Sequence, residues 1–251
     1  MNNVIIIVGA GSGIGFEVTK LAIQNSSNPV LAIDTRFNDN FPSRQGQGRV
    51  TRLTKVAAHV DARVDWSAIL QSVISVRSII FLVPPCRSRD LCVNDVGFSE
   101  EFSENVSATN LALLNLVRTS RQRLSDDSNL VLVSSVLSER IAVADASLDY
   151  HAAKSVLDTI MRFLAVKLAP KTAVNCIAPG LIARDNESVL LGNEELRGRV
   201  RRAVPLRRPA SQLEVAKCIW LLSSGALQYV SGQKIIMDGG SSVLEPFCIT
   251  K

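Results

Sequence analysis

The chain has 251 residues, 47% of them hydrophobic and 20% charged, the usage of an ordinary folded protein, which excludes a disordered or collagen-like chain. Its 28 basic and 23 acidic side chains leave a net charge of +5, but with 5% aromatic residues and no basic DNA-reading helix a nucleic-acid partner is not expected. Apolar runs of about five residues are too short to span a bilayer, and five cysteines with no C-x-x-C pair and no export signal point to reduced thiols in a cytoplasmic protein without a metal site.

Strands alternate with helices along the chain. Residues 4–8 are a continuous β-branched run, as a parallel strand buried on both faces requires. Glycines follow, then a helix over 14–23, broken by the Asn-Ser-Ser-Asn-Pro of 25–29, and a second strand over 30–34. The polar stretch 36–52 reads as a loop, 56–60 as a strand and 66–76 as a helix. A strand over 78–83 stops at Pro84-Pro85, and a long helix covers 103–124. The strand 130–133 runs into Ser134-Ser135; a helix over 148–168, a strand over 173–177 and a last strand over 234–237 complete the pattern. Repeated β-α units imply right-handed crossovers and a doubly wound parallel sheet of Rossmann type, a three-layer α/β/α fold. With no linker of distinct composition, one domain over 1–251 is expected.

Three places in this framework carry chemistry. The first strand-to-helix turn reads Val-Gly-Ala-Gly-Ser-Gly-Ile-Gly over 8–15. Its glycines let the backbone approach a ligand with no Cβ in the way, and the next helix offers free N–H groups to a pyrophosphate. The spacing is Gly9-x-x-x-Gly13-x-Gly15; the G-x-G-x-x-G pattern does not fit, because Ile14 stands at its last glycine. Asp34 closes the second strand, where an acid accepts the adenosine ribose hydroxyls and repels a 2′-phosphate. Arg36 keeps the opposite preference open, since a guanidinium suits that phosphate.

Tyr150 and Lys154 are four residues apart, hence on one helix face. An ordinary phenol titrates near ~10, and an adjacent ammonium favours its ionised form. Tyr-x-x-x-Lys is frequent by chance, but Ser134-Ser135 ends the preceding strand, where ligands sit in open α/β sheets. His59 and His151 lack partners at ligand spacing, Trp66 and Trp220 read as core, and Cys86 has no paired base that would make it a nucleophile.

These motifs resemble those of the short-chain dehydrogenase/reductases, in their compact single-domain branch, over about 4–240. The resemblance implies a cofactor site of Gly9, Ser12, Gly13 and Ile14 in the turn, Asp34 at the ribose, and Asp61-Ala62 at the adenine. It adds Pro179, Gly180 and Ile182 beside the nicotinamide, with NAD preferred over NADP. It implies a catalytic set of Asn110, Ser135, Tyr150 and Lys154: Tyr150 as general acid–base, Ser135 polarising the substrate oxygen, Lys154 on the nicotinamide ribose, and Asn110 holding a water. The expected reaction interconverts a secondary alcohol and a ketone. An epimerase or dehydratase with no net cofactor turnover is the alternative, and a non-catalytic cofactor-binding protein is the third reading. A homotetramer or homodimer is also implied.

Several positions depart from the family pattern. Val8 replaces a threonine, Pro84-Pro85-Cys86-Arg87 replaces Asn-Asn-Ala-Gly, Arg184 stands at a threonine, and the interval from Ser135 to Tyr150 is long. The stretch 184–208, expected to cover the substrate, carries seven arginines against four acids, which suits an anionic small-molecule substrate or a solvated helix face.

Overall fold

Residues Val4–Val8 form strand β1, and all five side chains are buried. Val4, Ile6 and Val8 enter the core on one face of the sheet, Ile5 and Ile7 the core on the other. Strand side chains alternate between faces, so a strand covered on both sides must be apolar throughout. The structure is a computed structural model that describes residues 1–42, 53–85, 98–142, 146–183 and 194–245.

The remaining elements follow in chain order: α1 (Gly13–Asn25), β2 (Val30–Asp34), β3 (Leu53–Ala57), α2 (Trp66–Ile69), β4 (Val76–Phe81), α3 (Phe98–Ser120) and β5 (Leu124–Val133). Then come α4 (Leu148–Lys167), β6 (Thr172–Pro179), α5 (Glu194–Ala203), α6 (Gln212–Ser223) and β7 (Lys234–Met237), with a short 3₁₀ turn at Val136–Ser138. The seven strands form one parallel sheet in the order β3-β2-β1-β4-β5-β6-β7. Helices α1 and α6 cover one face through Val18, Ala22, Val215 and Ile219. Helices α2, α3 and α4 cover the other through Trp66, Leu113, Leu116, Leu157 and Met161. This is the doubly wound, three-layer α/β/α arrangement. The strand order reverses between β1 and β4, and a crevice opens at their carboxyl ends.

Four elements sit elsewhere than the pattern predicts. Strand β3 covers Leu53–Ala57, ahead of the expected 56–60, because it is an edge strand registered on β2 from Val30↔Leu53 to Asp34↔Ala57. Edge strands need one apolar face only, so the alternation there is weak. Helix α2 is a single turn instead of reaching residue 76; β4 already begins at Val76. The Asp65 side chain caps α2 by accepting from the Ser67 and Ala68 amides. Helix α3 ends at Ser120 and β5 starts at Leu124, six residues before the first apolar pair that marked it.

Candidate active site

The turn after β1 is built by the close approach of backbone to backbone. A Cβ on Gly15 would lie 1.9 Å from the Gly9 carbonyl oxygen, and one on Gly11 would lie 1.8 Å from that of Arg36. No side chain fits either place, so these glycines hold the turn against β1 and the end of β2. The Gly11 amide donates to Asp34 Oδ2 at 2.8 Å, which ties the turn to the strand-end acid. Ser12 precedes α1 without a side-chain cap, and the first turn of α1 carries no acid. Its leading N–H groups therefore point at the crevice with their positive end uncompensated.

That crevice is a cleft of about 480 Å³. Gly9, Ser12, Ile14, Gly15, Asp34 and Thr35 line one side, and Ala58, His59, Val60, Leu82, Val83, Pro84, Pro85, Thr109 and Val133 line the rest. The structure thus brings Gly9, Ser12, Ile14 and Asp34 to one cavity, with Gly13 at the adjoining start of α1 in a left-handed conformation (φ +55°). Asp61 and Ala62 do not line it. The Asp61 carboxylate accepts from the Arg63 guanidinium at 2.8 Å, and these hydrogen bonds hold it below the usual carboxylate range. His59 and Val60 form the wall there instead. Pro179 and Gly180 end β6 beside β7, the Gly180 amide donating to Met237 at 2.9 Å, and Ile182 bridges to Ala210; none of the three lines the cleft.

The other half of the site is built on α4. Lys154 is 4% exposed and its ammonium donates to the Val133 carbonyl at 2.7 Å, at the inner end of the cleft. Burial pushes this ammonium down to about 8, against a partial opposing pull from the Asp158 carboxylate. Its Nζ lies 5.9 Å from the centre of the Tyr150 ring. The Ser135 hydroxyl accepts from the Leu137 amide at 3.1 Å, which starts the 3₁₀ turn and leaves its own proton to donate. Asn110 on α3 donates to Val106 at 2.8 Å and to Ala153 at 3.1 Å, pinning α3 to α4 one residue before Lys154. None of the four is among the residues that line the cleft: Lys154 reaches its wall through the Val133 carbonyl, Ser135 follows that strand end, Asn110 is held to the backbone beside Lys154, and Tyr150 stands one helical turn from Lys154.

Other residues find ordinary places. His151 is buried, with Nδ1 2.8 Å from the Ser147 carbonyl and Nε2 accepting from the Ala142 amide at 3.1 Å. Trp66 is core, and its Nε1 donates to Ala112 at 2.9 Å. Of the arginine-rich stretch, Arg197 and Arg201 both pair with Glu194, and Arg208 binds both oxygens of Glu214. That pair, with the Ser211 cap, holds the Glu214 carboxyl down to about 2. Cys86, Arg87 and Arg184 lie outside the described residues. Among the described residues no group of three His, Cys, Asp or Glu side chains could hold a metal ion, and no helix is long and apolar enough to cross a membrane.

Sequence reasoning missed a polar cluster behind Ser135. Asp158 is 4% exposed and accepts from Ser134 Oγ at 2.5 Å and from Lys234 Nζ at 2.8 Å. Lys234 also reaches Ser138 Oγ at 2.5 Å and Glu139 at 2.9 Å. The available signal was Asp158 four residues beyond Lys154, on the face already singled out.

Comparison with known proteins bears on this arrangement. The family model described as enoyl-(acyl carrier protein) reductase matches residues 88–242. The human "Dehydrogenase/reductase SDR family member 2, mitochondrial" is 28% identical over 250 residues, covering 97% of this chain and 88% of the relative. The 3-oxoacyl-(acyl-carrier-protein) reductase FabG of Chlamydia pneumoniae is 27% identical over 255 residues, covering 94% and 95%. A short-chain dehydrogenase family protein from Francisella tularensis has the same fold with a TM-score of 0.76, at 19% identity over 97% of this chain and 100% of that one. A short-chain oxidoreductase from Pseudomonas aeruginosa, solved with NADPH and with an atypical catalytic center, also scores 0.76 at 20% identity over 97% and 98%. The family model spans more than half of the chain and the curated relatives span nearly all of it: this protein belongs to the short-chain dehydrogenase/reductases, oxidoreductases that use NAD(P) and act on CH–OH or carbonyl groups.

Proposed function

We propose that this protein interconverts a secondary alcohol and a ketone with NAD(H), using Tyr150 as its general acid–base. The observation that carries the reading is Lys154: a buried ammonium on the Val133 carbonyl at the inner end of the cleft, one helical turn from Tyr150 on the same face. A lone buried cation is costly, and a site that holds one beside a phenol is suited to stabilising a phenolate. The glycine turn lines the cleft through Gly9, Ser12, Ile14 and Gly15, and the start of α1 carries no acid, which supports a dinucleotide phosphate there. When bound, the nicotinamide supplies or accepts the hydride.

The chain's residues divide the remaining work. Ser135, already accepting from Leu137, donates its proton to the substrate oxygen and orients it. The Tyr150 hydroxyl has no protein hydrogen bond among the described residues; it gives its proton to that oxygen in reduction and takes it back in oxidation. Lys154 favours the ionised phenol between those events and donates to the cofactor ribose. Asn110 holds α3 against α4 and leaves Oδ1 to accept from a water. Asp34 accepts from the adenosine ribose and repels a 2′-phosphate, so NAD is preferred over NADP. Asp61 and Ala62, for the adenine end, and Pro179, Gly180 and Ile182, for the nicotinamide end, enter the binding set on the family resemblance alone, since none of the five lines the cleft.

The protein acts as one domain in the cytoplasm. Exposed apolar side chains on α3 and α4, namely Leu111, Leu114, Val156, Phe163 and Val166, support a homotetramer or homodimer formed through these helices. Arg199 and Arg202, exposed on α5 and free of ion pairs among the described residues, support an anionic substrate, an acyl group on an acidic carrier included. The test is a panel of alcohols, ketones and a 3-oxoacyl thioester with NAD⁺ and NADH, followed by absorbance. Tyr150→Phe should keep cofactor binding and lose ~100- to 10,000-fold in kcat; turnover at the wild-type rate in that variant refutes the assignment. Substrate consumed at constant NADH absorbance would select the epimerase or dehydratase instead.

A further inference from the structure

Lys234 reaches the strand end that carries Ser135 by two separate arms. One runs from Nζ to Asp158 Oδ2 at 2.8 Å, and Asp158 Oδ1 in turn accepts from Ser134 Oγ at 2.5 Å. The other runs from Nζ to Ser138 Oγ at 2.5 Å, which donates to the Ser135 carbonyl at 2.8 Å. Ser155 Oγ on α4 fixes the same turn by donating to the Ser138 carbonyl at 2.6 Å. Both residues of the Ser134-Ser135 pair are thus gripped by one ammonium from β7.

The same geometry decides which cation Asp158 serves. Lys154 and Asp158 are four residues apart on one face of α4, yet Asp158 turns to Lys234 and Ser134, while Lys154 bonds to a backbone carbonyl. The charged and titratable groups around Lys154 are Tyr150 and Asp158 on its own helix, Cys176 on β6, and Lys234 on β7 with Glu139 beyond it. Cys176 stays a neutral thiol, since burial pushes it up to about 12. Asp158 is therefore the one buried anion in the group, and Lys234 holds it.

We propose that Lys234 is a positioning residue that clamps the Ser134-Ser135 strand end and withholds Asp158 from Lys154. The proposal rests on the assignment of Lys154 to the cofactor ribose made above. An ion pair at this place would hold the Lys154 proton more firmly; a missing carboxylate would hold it less.

The experiment titrates NADH by fluorescence from pH 6.5 to 9.5 with the full-length protein. In the wild type the affinity should fall through a midpoint near the Lys154 value of about 8. In Lys234→Met, Asp158 is released to Lys154 and the midpoint should rise by roughly one unit. In Asp158→Asn it should fall, while Lys234→Arg should keep the wild-type midpoint. Shifts of opposite sign distinguish this role from general loosening, which would move both variants alike. Should Lys234→Met not fold, Lys234→Gln supplies the upward shift in its place, since losing the Asp158 carboxylate lowers the midpoint whichever lysine holds it. Midpoints unchanged in Lys234→Met and Asp158→Asn, or moved in the same direction in both, overturn the proposal and leave the assignment of Lys154 intact. A wild-type affinity that does not vary with pH overturns that assignment and this proposal with it.

Discussion

Lys154→Met should abolish the pH dependence that this lysine imposes on folding. Burial pushes the folded ammonium down to about 8 from an ordinary 10.5. Since the folded value is the lower one, the unfolded chain binds more protons between the two, and stability rises with pH through that window. At pH 7 the wild type carries the whole penalty: about 2.5 units at 1.36 kcal/mol each, or about 3 kcal/mol. The group is 4% exposed, so solvent screening takes little from this figure. Methionine removes the charge but also the bond to Val133, which costs about 1.5–3 kcal/mol for a charged donor. At pH 7 these terms nearly offset, and the variant should be as stable as the wild type or slightly more so. By pH 10 most of the penalty has gone, and the wild type should gain about 2–3 kcal/mol on the variant. Urea unfolding of both proteins at equal concentration, at half-unit steps from pH 7 to 10, reads this difference directly. Cys176 loses stability above its ordinary range in both proteins and cancels. A difference that stays flat across the range refutes the reasoning, because it would mean that Lys154 is not desolvated in the fold.

Other expectations concern binding and packing. Calorimetric titration should show tighter binding of NADH than of NADPH; equal affinities would mean that Arg36 governs the ribose end, not Asp34. Gly15→Ala should abolish measurable NADH binding before it unfolds the protein, because its Cβ would lie 1.9 Å from the Gly9 carbonyl and force the turn open; fluorescence and circular dichroism together separate the two effects. Ile6→Ala, in the fully buried middle of β1, should cost about 2–5 kcal/mol in urea unfolding with no change in NADH affinity per folded molecule.

The sequence made the central strands legible because burial on both faces demands continuous apolar runs, as in all of β1, residues 30–33 of β2 and 79–81 of β4. It misplaced β3 because an edge strand with Thr54 and Lys55 in it looks like its own flanking loop. The glycine turn and the Tyr150–Lys154 spacing were readable because each lies within one local segment whose geometry follows from chain stereochemistry. Asp61 was chosen by motif position, while its carboxylate is occupied by Arg63 two residues on. The Lys234–Asp158 contact joins residues 76 apart, and no local pattern announces it. It exists because β7 is the neighbour of β6 in the sheet and α4 packs on β6 and on the turn at Val136–Ser138.

Gly11 and Asp34 also bear on attempts to retarget the cofactor. Asp34 Oδ2 accepts from the Gly11 amide at 2.8 Å, and Oδ1 accepts from the Thr35 hydroxyl at 3.2 Å and the Arg36 amide at 3.4 Å, so the carboxylate proposed to select the nucleotide also ties the glycine turn to the end of β2. Engineering toward the phosphorylated nucleotide by exchanging Asp34 for alanine would strip the amide of its acceptor and slacken the cradle in the same stroke, at a cost of about 1–3 kcal/mol. Asparagine keeps an acceptor for the amide while removing the negative charge. The side chain proposed to separate the two coenzymes is in this protein also a structural joint, and a redesign has to replace both of its duties.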